Sequence, residues 1–172
     1  DDARLVILTA KDAAEHGATV LTRTACTKLR RRAGRWSATL TRQDGGTLEV
    51  EARAVVNATG PWVDRFVDEA TPLAARHHPR QVKGSHIVVP KLFDHPFAYI
   101  FQGADGRIVF AIPYEGDYTL IGTTEMDYSG DLASPEIAEP EIEYLVAMAN
   151  QYFSSGLKRK DVAWTFAGLR PL

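Results

Sequence analysis

The 172-residue sequence has little of what marks several large protein classes. Cys26 is its only cysteine, which excludes an internal disulfide and any zinc site built from paired cysteines. No apolar run approaches the roughly 18 residues that a membrane-spanning helix needs. Neither sign of charge dominates, with 20 basic and 22 acidic residues, so no nucleic-acid partner is indicated. The composition predicts an ordinary globular protein.

Motifs of high specificity are also missing. The sequence has no G-x-G-x-x-G fingerprint, no phosphate-binding P-loop and no H-E-x-x-H zinc motif. His77 and His78 are adjacent and cannot readily bind one ion together, and no cysteine or carboxylate stands at ligand spacing from them. Residues 127–131, which include two aspartates, lack the alternating ligands of a calcium loop. No metal site is predicted.

The start of the chain has a helical pattern. Apolar residues at helical spacing within residues 5–13 predict a helix that Asp1 or Asp2 caps. Gly17 is the residue expected to end this helix, because glycine tolerates the left-handed conformation of a helix C-terminus. Residues 19–22 are then predicted to form a short strand.

The next segment alternates apolar and polar side chains. Residues 36–41 and 48–51 show this period of two on either side of Asp44-Gly45-Gly46, a hairpin signal. They predict an antiparallel ribbon with one exposed face. The basic cluster at residues 28–35 precedes the ribbon and lacks interleaved aromatic residues, so a solvated turn is predicted there.

Residues 54–58 form a continuous apolar run that ends at Thr59-Gly60-Pro61. Such a run predicts a strand buried on both faces. A brief helix is expected over residues 62–69. Residues 71–80, with two prolines and two histidines, are predicted to be a loop and mark the candidate domain boundary.

The second half of the chain is predicted to be rich in strands. Gly- and Asp-containing turns separate three of them, which predicts a meander. Pro140 suits the first turn of an amphipathic helix, whose apolar stripe runs from Ile142 to Phe153. The strands are expected at residues 82–89, 97–102, 107–112, 118–123 and 162–166.

Three short segments could carry chemistry. Gly60 would let the backbone approach a planar ligand closely, although a tight turn explains it equally well. His86 and Ile87 must point to opposite faces of their strand, so His86 faces a cavity or solvent if Ile87 is in the core. Arg170 follows an alternating strand, and its forked guanidinium suits a phosphate or carboxylate, with a surface ion pair as the alternative.

Five segments occur in an order that resembles one family. The chain is similar to the FAD-dependent, respiratory glycerol-3-phosphate dehydrogenases, and the similarity runs from one end to the other. The segments are V-N-A-T-G-P-W at residues 56–62, V-K-G-S-H-I-V-V-P at 82–90, R-I-V-F-A-I-P-Y at 107–114, T-L-I-G-T-T-E at 119–125 and G-L-R-P-L at 168–172.

The resemblance implies an α+β fold and a chain that is an internal fragment of a larger flavoprotein. Residues 1–63 would be part of a glutathione-reductase-like FAD domain, contributing a helix, an inserted β-ribbon and a returning strand. Residues 64–172 would be an antiparallel β-sheet substrate-binding domain with flanking helices. The glycine-rich fingerprint of the FAD domain would lie outside this chain.

The resemblance also implies roles for individual residues. His86 would be the general base, close to the flavin and to the substrate hydroxyl. Arg170 and Lys83 would bind the anionic substrate. The residues expected to contact FAD are Ala25, Cys26, Asn57, Ala58, Thr59 and Gly60.

In this family sn-glycerol 3-phosphate would be oxidised to dihydroxyacetone phosphate, with hydride transfer to FAD and electrons passed to a quinone. A cytoplasmic location is implied, with peripheral membrane attachment through parts outside this chain. The chain alone is expected to bind no FAD and to be inactive. A related FAD-dependent amine or amino-acid oxidase and a non-enzymatic antiparallel-sheet binding module are the alternatives.

Overall fold

The computed structural model describes residues 2–172 and divides them into two compact units. The first unit comprises the chain up to Asn57 together with Arg65–Arg76, and the second comprises Ala58–Asp64 and His77–Leu172. The predicted helix cap at Asp1 lies outside the described residues. The assignment of residues 1–63 and 64–172 to an FAD-binding and a substrate-binding domain stays a prediction.

The first unit contains a helix and a three-stranded antiparallel sheet whose strands follow chain order. Both the helix and the ribbon were predicted, and both are confirmed. Gly17 follows the helix with a φ of +93°, the left-handed conformation expected at a helix end. The elements are α1 (Asp2–Glu15), β1 (Thr24–Arg32), β2 (Arg35–Arg42) and β3 (Thr47–Ala52).

Two predictions for this unit are wrong. Residues 19–22 form no strand, and β1 begins only at Thr24. The basic cluster is mostly part of β1 and is not a turn, because two residues suffice to reverse the chain. Ala33 and Gly34 have positive φ values of 48° and 80°, which suit a two-residue hairpin turn, so the basic residues before them pair with β2.

The predicted returning strand at residues 54–58 is also absent. Val56 is 87% exposed, and no described strand pairs with this segment. A strand buried on both faces forms only where neighbouring strands satisfy its edges, and the described chain supplies none. The brief helix that was expected next is confirmed as α2 (Val63–Ala70), after a 3₁₀ turn at Gly60–Trp62.

The second unit is built on a six-stranded antiparallel sheet. Its first strand is central, since it pairs with two other strands along one edge and with the last strand along the opposite edge. The predicted meander and amphipathic helix are confirmed. The elements are β4 (Gln81–Pro90), β5 (Tyr99–Gln102), β6 (Ile108–Tyr114), β7 (Tyr118–Gly122), β8 (Met126–Asp127), α3 (Glu139–Tyr152) and β9 (Trp164–Pro171).

The two faces of this sheet differ in their surroundings. One face packs on α3, where Ile87 and Ile121 meet Leu145 in a buried apolar core. The other, here called the open face, carries aromatic and aliphatic side chains that remain partly exposed. Its members include Ile108, Phe110, Ile112, Tyr118, Trp164 and Phe166.

The architecture is thus a mixed α/β one with antiparallel sheets. Within residues 2–172, no helix combines the length and the apolar character required to cross a membrane. The same described residues contain no cluster of three or more metal-ligating side chains.

Candidate active site on the open face

His86 lies in the middle of β4 and on the open face. Directly opposite residues of antiparallel strands share a face, and His86 pairs with Gly122 of β7 and Phe166 of β9. Its ring stacks on Phe166 with centroids 4.8 Å apart and planes 7° apart. Ile87, the next residue, is fully buried in the core, so the predicted alternation of these two side chains is confirmed.

The His86 ring can occupy its position only because Gly122, opposite it on β7, has no side chain. A Cβ atom built on Gly122 would lie 2.7 Å from both Cγ and Nε2 of His86. Real side chains do not approach so closely, so the imidazole occupies space that glycine leaves open. Gly122 therefore acts as part of the site, although sequence reasoning gave it no role.

We expect Gly122→Ala to destabilise the second unit by about 1–3 kcal/mol, the usual range for overpacking. Gly168→Ala is the matched control, because a Cβ at Gly168 of β9 meets no atom within 4 Å. That control should be neutral or slightly stabilising. Urea denaturation of both variants measures the difference, and equal midpoints would contradict the close contact between Gly122 and His86.

The His86 imidazole favours its neutral form. Burial lowers the pKa of His86 below the ordinary value of 6.5, and the positive charge of Arg170 lowers this pKa further. Nδ1 of His86 is buried and has no hydrogen-bond partner in the described chain. A neutral imidazole keeps one lone pair free to accept a proton, which is the property required of a general base.

Arg170 lies on the same face as His86. It pairs with Val82 of β4, four residues before His86, and even spacing along a strand preserves the face. Its guanidinium opens into a cleft of about 490 Å³. The cleft is lined by Asp105, Gly106, Arg107, Ile108, Phe110, Thr123, Thr124, Glu125 and Arg170.

No carboxylate among residues 3–172, whose side chains the structure describes, forms an ion pair with Arg170. Its Nη2 donates one long hydrogen bond, 3.4 Å, to the carbonyl oxygen of Thr124. The second cation of the cleft, Arg107, is instead bound to Asp105, with 2.6 Å between Nε and Oδ2. Arg170 is therefore the cleft cation that is available to an anionic ligand.

The position of Lys83 contradicts the predicted substrate-binding role. Lys83 has the opposite strand parity to His86 and points to the α3 side of the sheet, where it is 8% exposed. Its Nζ lies 2.7 Å from Oε2 of Glu141 and donates a 2.7 Å hydrogen bond to the carbonyl oxygen of Glu136. The structure corrects the prediction, because Lys83 is one half of a buried ion pair.

Glu141, which sequence reasoning did not single out, holds this buried pair. Burial raises its pKa, but hydrogen bonds from Lys83, Thr124, the Ala138 N–H and Ser85 together bring the pKa below its ordinary value of 4.5. A group whose pKa is lowered on folding stabilises the protein above its unfolded-state pKa. That stability is lost as the pH falls through the folded-state pKa.

We expect Glu141→Gln to lower the free energy of unfolding at pH 7 by about 3 kcal/mol, since it leaves a buried ammonium without its counter-charge. The difference from the unsubstituted protein should begin to shrink below pH 4.5, where Glu141 of the unfolded chain binds a proton, and should disappear only below the lowered pKa of the folded protein. Urea denaturation between pH 3.5 and pH 7 measures this. Glu139→Gln, which removes an exposed partner of Arg159, is the control and should cost less than about 1 kcal/mol.

The residues predicted to contact FAD lie in both units. Ala25 and Cys26 are in β1 of the first unit, and Ala25 lines a shallow cavity of about 520 Å³. Burial raises the pKa of the Cys26 thiol, so this cysteine is not an activated thiolate. Asn57 ends the first stretch of the first unit, whereas the segment from Ala58 to Gly60 belongs to the second.

Comparison with known proteins identifies the family. The whole chain, residues 1–172, matches the family described as FAD dependent oxidoreductase (DAO). It is 49% identical to a glycerol-3-phosphate dehydrogenase of Pseudomonas aeruginosa and 45% identical to a D-erythritol 1-phosphate dehydrogenase of Brucella abortus, in each case over its full length. It spans 34% of the length of each of these two relatives.

The fold agrees with this result. The glycerol-3-phosphate dehydrogenase of Bacillus halodurans, solved in complex with FAD, superposes with a TM-score of 0.87 at 36% identity. That match covers all of this chain and 35% of the other. The chain belongs to the family of FAD-dependent oxidoreductases.

Proposed function

We propose that this chain is the substrate-facing part of an FAD-dependent dehydrogenase that oxidises sn-glycerol 3-phosphate to dihydroxyacetone phosphate. One observation carries the proposal: a neutral imidazole and a guanidinium that has no carboxylate partner among the described side chains share the open face of one sheet. The pairing of a base with an anion-binding cation is what a phosphorylated alcohol requires.

His86 acts on the hydroxyl of the substrate and Arg170 on its phosphate. The neutral imidazole of His86 accepts the proton of the C2 hydroxyl as that carbon is oxidised. Arg170 binds the phosphate dianion through guanidinium N–H groups, which places the hydroxyl within reach of His86. The aromatic side chains of the open face, such as Phe166 and Phe110, exclude water from the reacting carbon.

FAD, when bound, supplies the hydride acceptor for this oxidation. Gly60 fits a backbone that a planar cofactor approaches closely, because its φ is +56° and no atom lies within 4 Å of the position of a Cβ. We assign cofactor contacts to the segment from Asn57 to Gly60 and to Ala25 and Cys26. A quinone as electron acceptor and peripheral membrane attachment belong to the same proposal.

A second candidate substrate is D-erythritol 1-phosphate. The relative from Brucella abortus, which is named for this substrate, is almost as similar to the chain as the glycerol-3-phosphate dehydrogenase. The cleft next to Arg170 contains the carboxylates of Asp105 and Glu125, which are acceptors for additional hydroxyl groups. The names of these relatives favour a polyol phosphate as the substrate over the amine or amino acid that a related FAD-dependent oxidase would use.

Reduction of an artificial electron acceptor by the full-length protein tests the proposal. We expect turnover with sn-glycerol 3-phosphate, less with D-erythritol 1-phosphate and none with glycerol, which lacks the phosphate. Larger kcat/KM with the erythritol ester would favour the second candidate. The proposal fails if the protein holds FAD that dithionite reduces, yet neither polyol phosphate reduces that FAD.

A further inference from the structure

A buried polar network lies directly behind the cleft. Glu141 of α3 is 5% exposed, and its Oε1 accepts hydrogen bonds from Ser85 Oγ at 2.8 Å and from Thr124 Oγ1 at 2.6 Å. Its Oε2 accepts from Lys83 Nζ at 2.7 Å and from the Ala138 N–H at 2.8 Å. Four donors thus hold one carboxylate in a single orientation.

Thr124 joins this network to the open face. Its hydroxyl donates to Glu141 and also accepts the Ser85 N–H at 3.0 Å, so the 1% exposed side chain is held from both sides. Its own N–H donates to the carbonyl oxygen of Ser85 at 3.3 Å. Its carbonyl oxygen accepts from Arg170 Nη2. One residue therefore connects the buried carboxylate to the guanidinium of the cleft.

The space around that guanidinium is also restricted by Gly84. A Cβ on Gly84 would lie 3.3 Å from Arg170 Nη2, 3.4 Å from the Thr124 carbonyl oxygen and 2.5 Å from Thr123 Oγ1. The backbone of β4 thus closes one side of the position that Arg170 occupies. The Thr124 carbonyl uses one of the five guanidinium N–H groups, which leaves the others for an anion.

We propose that Thr124, held by Glu141, is a positioning residue that orients Arg170 for the phosphate of the substrate. The inference rests on the proposed function, because it assigns Arg170 to that phosphate. No carboxylate of the described chain fixes the guanidinium, so its direction depends on the Thr124 carbonyl. The Thr124 side chain, with its bonds to Glu141 and Ser85, fixes this residue together with its backbone N–H, and the Thr123 hydroxyl also donates to the Thr124 carbonyl oxygen at 3.1 Å.

Kinetics of the full-length protein with sn-glycerol 3-phosphate test this role. Thr124→Val removes the hydroxyl at almost constant volume and should raise KM about tenfold while kcat changes less than about twofold. Thr124→Ser keeps the hydroxyl and should restore KM to within about twofold. Thr119→Val is the matched control, since Thr119 is a buried threonine of the same sheet whose hydroxyl accepts the Leu92 N–H.

A double-mutant cycle separates positioning from a general loss of stability. In an Arg170→Lys background, Thr124→Val should change KM by less than about twofold, because the oriented guanidinium is already gone. An equal rise of KM in both backgrounds would overturn the proposal, as would a fall in kcat at unchanged KM. If Thr124→Val does not fold, Glu141→Gln takes its place in the same cycle with the same criteria.

Inorganic phosphate provides a readout that does not depend on the reaction. Its dissociation constant, measured by calorimetry on the full-length protein, should rise about tenfold in Thr124→Val and stay unchanged in Thr119→Val. Unchanged phosphate binding in Thr124→Val would overturn the positioning role even if the enzyme oxidises glycerol 3-phosphate. Weakened phosphate binding without any such oxidation would refute the proposed function and leave the positioning role supported.

Discussion

Replacing His86 by alanine in the full-length protein is expected to lower kcat for sn-glycerol 3-phosphate by about 10²- to 10⁴-fold, the usual contribution of a positioned general base. The imidazole is neutral because burial and Arg170 lower its pKa, and Nδ1 is buried without a partner in the described chain. Among the described residues, His86 is the only histidine in the strands that form the open face. KM should change much less, since the phosphate contact remains.

The matched control is His95→Ala. His95 is also stacked on a phenylalanine, with centroids 4.7 Å apart, but it lies in an exposed loop and contacts Tyr99. Its replacement should leave kcat within about twofold. Anaerobic mixing of each variant with substrate, followed through the absorbance of the flavin, separates the chemical step from reoxidation. Normal flavin reduction in the His86 variant would remove His86 from the mechanism.

Replacing Arg170 by alanine should lower kcat/KM by roughly 30-fold to several thousand-fold, which corresponds to about 2–5 kcal/mol for losing one partner of a charge pair that the bound substrate desolvates. Most of the loss should fall on KM, because the phosphate is bound in the ground state as well as in the transition state. Arg159→Ala removes an exposed arginine paired with Glu139 and is the control. Steady-state kinetics over a wide substrate range measures both variants.

The Arg170→Ala substitution should also change how kcat/KM depends on pH. The Arg170 charge is the second cause of the lowered His86 pKa, after burial. Its removal should therefore raise this pKa without restoring the ordinary value, and the acid limb of kcat/KM should move to higher pH. An acid limb that stays in place, together with unchanged KM, would show that Arg170 is near neither His86 nor the substrate.

Local patterns in the sequence predicted much of the fold. The Gly- and Asp-containing turns of the meander and the apolar stripe of α3 each depend on neighbours in the chain, and both are confirmed. The opposite orientation of His86 and Ile87 follows from strand geometry alone. Residues 54–58 do not form the predicted strand, because a strand needs partner strands and the local sequence pattern does not show whether they are present.

The substrate-binding role that was predicted for Lys83 is wrong, although the sequence held evidence against it. Lys83 and His86 are three residues apart in one segment, and in a strand this odd separation sends them to opposite faces. The period of the strand therefore indicated that the Lys83 side chain points to the α3 side of the sheet, away from His86. The buried carboxylate that makes a lysine tolerable there comes from Glu141, which is 58 residues away in the chain.

The sequence by itself determined which side chains of β4 share a face, because the period of a strand is set by the backbone. It also contained the segments by which the family is recognised. Only the tertiary structure decided that β9 lies beside β4, in the register that places Arg170 on the same face of the sheet as His86. Only the structure showed that Gly122 makes room for the imidazole. Register between distant strands is decided by packing over the whole sheet, and no local spacing records it.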